Sequence, residues 1–354
     1  MLFISILTTY YNIIFTQKRK EFFVMFKKIF LCIGSVIIAA VIAVSFFFEK
    51  NRKDISETGI FVMDTYCTIS LDSRETDRVS ALLYDLEKQF DSYDENSSIS
   101  RLNRGIPLDE KSDAGRLILE CISLSDKYRG GVDITAGSLT RLWDITGDSP
   151  HVPEEMEIKK ALSTVGIDNI CRENGIISLE NGAQLDLGAA AKGYALDRVK
   201  ALLDETDTSY GVVSMTSSML LYGEKEKGEP FRTAVRGAGN NEILGTAETD
   251  SCFVSSSGSY ERYFTDENGN TYSHILDTKT GYPIETDLAA VTVFCHSGIM
   301  SDYLSTLIFM EGKDNIEKHL HADEYKIVAA DINGNIYVSP GLDFTENKTG
   351  GKEK

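Results

Sequence analysis

The sequence lacks the cysteine patterns of a zinc site or a disulfide framework. None of its six cysteines forms a CxxC pair or a Cys/His cluster with zinc spacing. Five of them lie among apolar or strand-like residues, which predicts reduced thiols packed in a core: Cys67, Cys121, Cys171, Cys252 and Cys295. Disulfide frameworks belong mainly to small secreted domains, so we expect no structural disulfide in a chain of this size.

Positive charge is also scarce. The 354 residues include 36 Lys and Arg against 54 Asp and Glu, which gives a formal net charge of −18. Nucleic-acid binding needs a basic footprint for the phosphate backbone, so this balance predicts no nucleic-acid partner. The same acidity makes a cation cofactor easier to hold. Hydrophobic residues make up 42% of the chain, which is enough for a core of ordinary size.

One long stretch near the N-terminus carries no charge at all. Residues 29–48, IFLCIGSVIIAAVIAVSFFF, have the length at which an apolar helix spans a bilayer. Basic residues lie on both sides of this run, so the positive-inside rule gives a weak preference for an inside N-terminus. We therefore expect a single-pass anchor in the cell membrane, with the rest of the chain outside the cytoplasm. Residues 1–28 are then a cytoplasmic N-terminal segment. Met25, however, begins a stretch that resembles the start of a signal sequence, so the residues before it are alternatively an over-extended gene start.

The remainder of the chain predicts one α+β unit without repeats. We assign a polar linker to 49–58, a catalytic domain to 59–345 and a disordered tail to 346–354. Apolar residues at helical spacing predict helices over 75–90, 112–128, 153–166, 192–203, 301–311 and 314–320. Runs rich in β-branched and aromatic residues predict strands over 61–71, 175–179, 183–187, 210–223, 230–236, 251–256, 259–265 and 288–295. Asn-Gly pairs predict hairpin turns at 266–272 and within 325–338.

The stretch LDLGAAAKGYALDRV (185–199) has the pattern of an anion site. Asp186 ends an apolar run, small residues follow, and a helix begins near Lys192. Small residues let a backbone approach a ligand closely, and a helix N-terminus attracts a phosphate. Lys192 adds a positive charge at the same point. An ordinary tight turn between a strand and a helix would give the same pattern.

Two later stretches carry polar groups that suit catalysis. SHILDTKTGYP (273–283) contains His274, which is either a structural hydrogen-bonding residue or a general base near neutral pH. SDYLSTLIF (301–309) places Asp302, Ser305 and Thr306 on one helical face, at spacings of three and four. One carboxylate and two hydroxyls suit a hard cation such as Mg²⁺. On spacing alone, Asp302 is better explained as a helix N-cap, with Ser305 and Thr306 merely polar.

Taken in order, seven stretches of this sequence resemble the motifs of the ApbE family, the FAD:protein FMN transferases. They are FVMDTYCTI, DSYDENSSISRLN, GGVDITAGSLTRLWD, LDLGAAAKGYALDRV, VSSSGSYERYF, SHILDTKTGYP and SDYLSTLIFMEG. The resemblance implies a single T-fold-like α+β domain with mixed sheets and packed helices. It also implies an enzyme that cleaves FAD, moves FMN onto a Thr or Ser hydroxyl of an exported acceptor protein by a Mg²⁺-dependent phosphoester reaction, and releases AMP.

The resemblance also implies site residues, carried over motif by motif. The flavin site would include Met63, Tyr93, Gly131, Val132, Asp133, Asp186, Lys192 and Leu276. The Mg²⁺ site, which would also accept Mn²⁺, would include the Ala189 carbonyl, Asp302 and Thr306, with Ser305 adjacent. His274 would accept the proton of the acceptor hydroxyl, and Asp302 would take part in catalysis through the cation.

The sequence departs from the family's motifs at three places. Asp64 stands where the family usually has the glycine of M-G-T, and Ala189 replaces the second glycine of L-D-L-G-G. In SMTSSMLLYG (214–223), Ser217 and Ser218 replace both glycines of N-x-G-G-N. These changes leave two alternatives to the transferase open. One is a Mg²⁺-dependent FAD pyrophosphatase that forms FMN and AMP, and the other is a non-catalytic FAD-binding protein.

Overall fold

The computed structural model describes residues 55–129, 131–238, 242–258 and 262–347. They belong to one unit that runs from Ile55 onward. The predicted anchor at 29–48 lies outside the described residues, as does the tail from residue 348. Within the described part, the helices are too short or too polar for any of them to cross a membrane.

Helices and strands alternate irregularly along the chain. The strands are β1 (Ile55–Val62), β2 (Thr65–Asp72), β3 (Leu108–Asp109), β4 (Ile170–Glu173), β5 (Ile176–Leu179), β6 (Tyr210–Met215), β7 (Ser218–Gly223), β8 (Phe231–Arg236), β9 (Ile243–Thr249), β10 (Cys252–Gly258), β11 (Tyr263–Thr265), β12 (Thr271–Ser273), β13 (Leu288–Cys295), β14 (Tyr325–Asp331), β15 (Ile336–Val338) and β16 (Asp343–Glu346). The α-helices are α1 (Ser73–Phe90), α2 (Ser98–Asn103), α3 (Asp113–Lys127), α4 (Gly137–Trp143), α5 (Glu155–Leu162), α6 (Ala191–Asp204), α7 (Gly298–Glu311) and α8 (Ile316–Leu320).

Eight strands form one large sheet in the order β1-β2-β6-β7-β10-β13-β14-β15. Helices α1, α6 and α7 pack on one face, and the small sheet β16-β9-β8 covers part of the other. Every residue of β13 is buried, because this central strand is covered on both faces. All ladders between the named strands are antiparallel, so the expectation of mixed sheets is wrong in this respect. The parallel pairing that is described is a single bridge, Ala136 to Gln184.

The strand predicted over 61–71 is two strands joined by a tight turn. Val62 pairs with Thr65, and the two residues between them, Met63 and Asp64, have φ values of 53° and 55°. Positive φ at both central positions defines the hairpin turn that fits the twist of a sheet. Residues 55–58, which the sequence analysis assigns to the linker, form the first half of β1. The strand predicted over 210–223 is likewise two strands, β6 and β7, which are joined by a two-residue turn between Met215 and Ser218.

The periodic helices agree with the sequence pattern. Helices α1, α3, α6 and α7 coincide with predicted helices to within three residues at each end. The run predicted as a strand at 183–187 belongs to no ladder, and Gln184 forms one isolated bridge to Ala136. Its backbone instead bonds to the segment before α4, with Asp186 N donating to Ile134 O at 2.8 Å. Both predicted Asn-Gly hairpins are present, between β11 and β12 and between β14 and β15.

The two Asn-Gly hairpins share the sequence D-x-N-G-N-x-Y and the same internal bonding. In each loop one Asp oxygen accepts two backbone N–H groups, and the other accepts the second Asn amide and the Tyr hydroxyl. These bonds lower the pKa of Asp266 and of Asp331. Asp331 differs in being buried and in accepting a further bond from Lys313 Nζ at 2.9 Å.

Candidate active site

A cleft of about 450 Å³ lies where the β1–β2 turn and the β6–β7 turn meet the N-terminus of α6. Nine of the predicted site residues line it: Met63, Val132, Asp133, Asp186, Ala189, Lys192, His274, Leu276 and Thr306. A second chamber of about 200 Å³ shares part of this wall and is lined by the aromatic rings of Phe90, Tyr93 and Trp143. The cleft thus joins a polar part to an aromatic part, an arrangement suited to a ligand with phosphate groups and a flat ring.

The hairpin turn at Met63 and Asp64 forms one lip of the cleft. Met63 N donates to Glu87 Oε1 at 2.7 Å, which ties the turn to α1. The Arg262 guanidinium donates to Asp64 O at 3.1 Å. The left-handed backbone at Asp64 explains why a glycine suits this position, and Asp is among the residues that tolerate it. The departure at Asp64 therefore leaves the turn intact.

His274 lines both chambers and is held by the backbone of Arg262. Its Nδ1 lies 3.0 Å from Arg262 O, and because a carbonyl only accepts, Nδ1 carries the proton. The neutral ring then keeps a lone pair on Nε2. The pKa of His274 is lowered to about 4, first by burial and then by the positive charges of Arg262 and Lys192; the bond to Arg262 O and the charge of Asp186 oppose this. The side chain is therefore a neutral base at pH 7.

The N-terminus of α6 faces the cleft with Ala191 and Lys192. No side chain caps this helix. Gly193 N, however, donates to Asp302 Oδ2 at 3.0 Å, so part of the helix terminus already holds a carboxylate. Asp302 is buried, only 5% exposed, and lies behind the cleft wall. The anion predicted for this helix terminus is thus in part the protein's own Asp302, with Lys192 left facing the cleft.

Two glycines allow α6 and α7 to cross closely enough for that bond. A Cβ at Gly193 would lie 2.8 Å from Asp302 Cβ and would overlap the carbonyl oxygen of Gly298. In return, Asp197 of α6 accepts from Gly298 N at 2.8 Å and from Ile299 N at 2.7 Å, at the start of α7. Burial raises the pKa of Asp197, against the bonds that it accepts. Each helix therefore supplies a carboxylate to the N-terminal part of the other.

A row of hydroxyl groups lies between α7 and the strands β7 and β10. Ser218 Oγ donates to Asp302 Oδ1 at 2.8 Å. Ser257 Oγ lies 2.9 Å from Ser305 Oγ and 3.4 Å from Thr306 Oγ1. Of the hydroxyl groups on α7, that of Thr306 belongs to a residue lining the cleft. Ser305 is buried, and its hydroxyl donates to Asp302 O at 2.9 Å.

Two other predicted residues do not line the polar part of the cleft. Gly131 packs against the Leu307 side chain, which leaves no room for a Cβ. Tyr93 lines only the aromatic chamber, with the Arg141 guanidinium 5.6 Å from its ring centroid. The structure thus brings most of the predicted residues to one cleft, with Asp302, Ser305 and Gly131 supporting it from behind.

Sequence reasoning missed several residues that shape the site. Arg236 and Arg262 line the cleft as cations, and neither lies in a helical or turn pattern that marks it. Gly193 and Asp197 stand inside the LDLGAAAKGYALDRV stretch, and a glycine in the first turn of a helix is a signal of close packing. Ser218 was noticed only as a departure from a motif, although its hydroxyl reaches Asp302.

Comparison with known proteins gives one consistent result. The family model described as the ApbE family matches residues 63–330. The FAD:protein FMN transferase of Haemophilus influenzae is 29% identical over 290 residues, which are 75% of this chain and 83% of that protein. The FAD:protein FMN transferase of Treponema pallidum is 27% identical over 281 residues, covering 71% and 77%.

Solved structures agree with the sequence comparison. The crystal structure of the ApbE protein of Thermotoga maritima superposes with a TM-score of 0.74 at 28% identity, covering 81% of this chain and 97% of that one. The flavinyl transferase ApbE of Pseudomonas stutzeri, in its apo form, gives a TM-score of 0.70 at 26% identity, covering 83% and 95%. Since the family match spans well over half of its residues, this chain belongs to the ApbE family.

Proposed function

We infer that this protein is a FAD:protein FMN transferase. Family membership supports this activity, and so does the kind of group that lines the cleft. The observation that carries the inference is the neutral His274, which faces the same cleft as Lys192 and the N-terminus of α6. A base and an anion-binding helix terminus together suit transfer of a phosphoryl-linked group to a hydroxyl.

The side chains have separate tasks in this reaction. The aromatic chamber at Tyr93 and Trp143 holds a flat ring, and Lys192 neutralises phosphate oxygens. His274 Nε2 takes the proton of the acceptor's Thr or Ser hydroxyl as that oxygen bonds to the phosphorus of the FMN half. The bond from this phosphorus to the bridging oxygen breaks, and AMP leaves with that electron pair. Phosphoryl transfer of this kind depends mainly on positioning and charge neutralisation.

A cation site fits the oxygen groups that are present. Among the described residues, no cluster of three or more His, Cys, Asp or Glu side chains could hold a metal. A cation would instead rest on the single Asp302 carboxylate with Thr306 Oγ1 and the Ala189 carbonyl, the oxygen set that Mg²⁺ and Mn²⁺ accept. Each Asp302 oxygen uses one lone pair on a protein donor and keeps another. When bound there, Mg²⁺ would supply Lewis-acid stabilisation of the phosphate oxygens.

The remaining parts of the proposal concern location and partner. The uncharged run at 29–48 supports a single-pass membrane anchor, and its flanking charges support an extracytoplasmic catalytic domain. The acceptor is then an exported protein that presents a Thr or Ser. The departures at Ser217 and Ser218 leave polar groups at the site. Ser217 lines the cleft, and Ser218 donates a hydrogen bond to Asp302. This favours an enzyme over a non-catalytic FAD-binding protein.

Release of AMP coupled to covalent flavin labelling tests this function. The full chain in detergent would be incubated with FAD, Mg²⁺ and a peptide bearing a Thr acceptor, with a Thr→Val peptide as the control. The transferase predicts equal amounts of AMP and labelled Thr peptide. Release of AMP and free FMN, with no flavin attached to the peptide or to added acceptor proteins, would indicate the pyrophosphatase. FAD that is bound but not cleaved would indicate a non-catalytic FAD-binding protein.

A further inference from the structure

Ser218 is the one hydroxyl described at the side chain of Asp302. Its Oγ donates to Asp302 Oδ1 at 2.8 Å, and both residues are buried. The second carboxylate oxygen accepts from Gly193 N at 3.0 Å. The Asp302 carboxylate is therefore anchored at both oxygens, once by a backbone group and once by a side chain.

The strand register fixes where this hydroxyl lies. Ser218 is the first residue of β7, paired with Met215 across the turn and with Ser255 on β10. Helix α7 packs against β10, as the bond between Ser255 Oγ and Ser301 Oγ at 2.9 Å shows. The preceding turn residues, Thr216 and Ser217, line the cleft. Ser218 thus stands between the cleft turn and α7, where a glycine would leave Asp302 Oδ1 without this donor.

We propose that Ser218 is a positioning residue of the cation site, which orients the Asp302 carboxylate through its hydroxyl. This rests on the proposed function, in which Asp302 is the carboxylate that meets the cation. With both oxygens anchored, the carboxylate has one orientation about its Cβ–Cγ bond, and one lone pair on each oxygen stays free. With Gly193 N alone, the group can rotate and must be ordered by the cation itself.

The size of the effect follows from the role of such partners in general. Loss of a hydrogen-bond partner behind a metal ligand typically costs ten- to a hundredfold in metal affinity or activity. Since Gly193 N remains in place, we expect the lower end, about a tenfold weaker cation affinity for Ser218→Ala. Ser218→Gly should give the same loss, because it removes the same hydroxyl.

Direct Mn²⁺ binding tests the proposal without turnover. The metal-free full chain in detergent would be titrated with Mn²⁺, and free Mn²⁺ would be measured by its electron paramagnetic resonance signal. Ser339→Ala is the matched control, because Ser339 is also buried and its hydroxyl also bonds within the protein, to Ile327 N at 2.9 Å. We expect about tenfold weaker binding for both Ser218 variants and unchanged binding for the control. In turnover, the Mg²⁺ concentration for half-maximal rate should rise while kcat at saturating Mg²⁺ is kept.

Asp302→Asn separates the failure of this proposal from failure of the proposed function. If Asp302→Asn loses Mn²⁺ while folded Ser218→Ala or Ser218→Gly binds it as tightly as wild type, or more tightly, the role of Ser218 is refuted and the cation site stands. If wild type and Asp302→Asn bind Mn²⁺ equally, the cation site itself is misplaced, and the role of Ser218 falls with it. Circular dichroism of each variant would establish that folded protein is being compared.

Discussion

Gly193→Ala should damage the site more than it damages the fold. The added Cβ would lie 2.8 Å from Asp302 Cβ and would overlap Gly298 O. Carbon atoms in contact prefer about 3.5–4.0 Å, so α6 and α7 must separate by roughly 1 Å. Overpacking of this kind costs about 1–3 kcal/mol of unfolding free energy. A misplacement of about 1 Å can cost on the order of a hundredfold in rate, and we expect such a loss in kcat/KM.

Gly115→Ala provides a matched control for this prediction. Gly115 also lies in a helix, and its Cβ would lie 2.6 Å from Glu110 Cα and would overlap Asp109 O. The added Cβ would press on the backbone of Asp109 and Glu110 rather than on Asp302 or α7, so this variant should lose a similar stability and keep its activity. Urea unfolding followed by circular dichroism gives the first quantity, and AMP release at saturating Mg²⁺ gives the second. Folded Gly193→Ala with kcat/KM within about threefold of wild type would refute the role of this helix crossing.

Further predictions concern His274, Asp197 and Asp331. Because the pKa of His274 is lowered from 6.5 to about 4, kcat/KM should not fall as the pH is lowered through 6.5. A fall in kcat/KM with a midpoint near pH 6.5 would contradict His274 as a base with this lowered pKa. In the window from about 4 to 6.5 the unfolded chain binds a proton that the folded chain does not, so His274 makes stability rise with pH. Asp197→Ala should lower the unfolding free energy by about 1 kcal/mol, because it removes a carboxylate from the start of α7, and it should raise the Mg²⁺ concentration that gives half-maximal AMP release. An unchanged Mg²⁺ concentration for half-maximal release would show that Asp197 does not affect the cation site. Asp331→Ala should lower Tm more than Asp266→Ala, because only Asp331 is buried and bonded to a lysine; scanning calorimetry showing equal losses would refute this.

Local patterns predicted the elements whose physics is local. Helix α1 shows its apolar face at helical spacing, and the apolar run of β13 marks a buried strand. The turn at Met63 and Asp64 was missed because its sequence is not one of the Asn-Gly or Asp-Gly pairs that favour positive φ. The small helix α2 was also missed. The residues around Ser97 are polar and typical of a loop, although Ser97 caps this helix.

The candidate site also has a part that the sequence predicted and a part that it did not. Motif order placed His274, Lys192 and Asp186 in one group, and the structure has all three lining one cleft. The contacts that hold Asp302 were out of reach, because they join it to residues 84 and 109 positions away along the chain. No local period or turn signal encodes such a pairing. It depends on the sheet register at Ser218 and on the helix crossing at Gly193.

A comparison of His274→Ala with wild type tests whether His274 is the base of the transfer. The full chain and this variant would be compared with FAD, Mg²⁺ and a Thr peptide, and AMP release, flavin labelling of the peptide and FAD affinity would be measured together. We expect labelling to fall by about 10²–10⁴-fold, the usual contribution of a general base, while FAD still binds. A variant that labels the peptide at the wild-type rate would contradict His274 as the base. So would one in which the loss of labelling is fully explained by lost FAD binding.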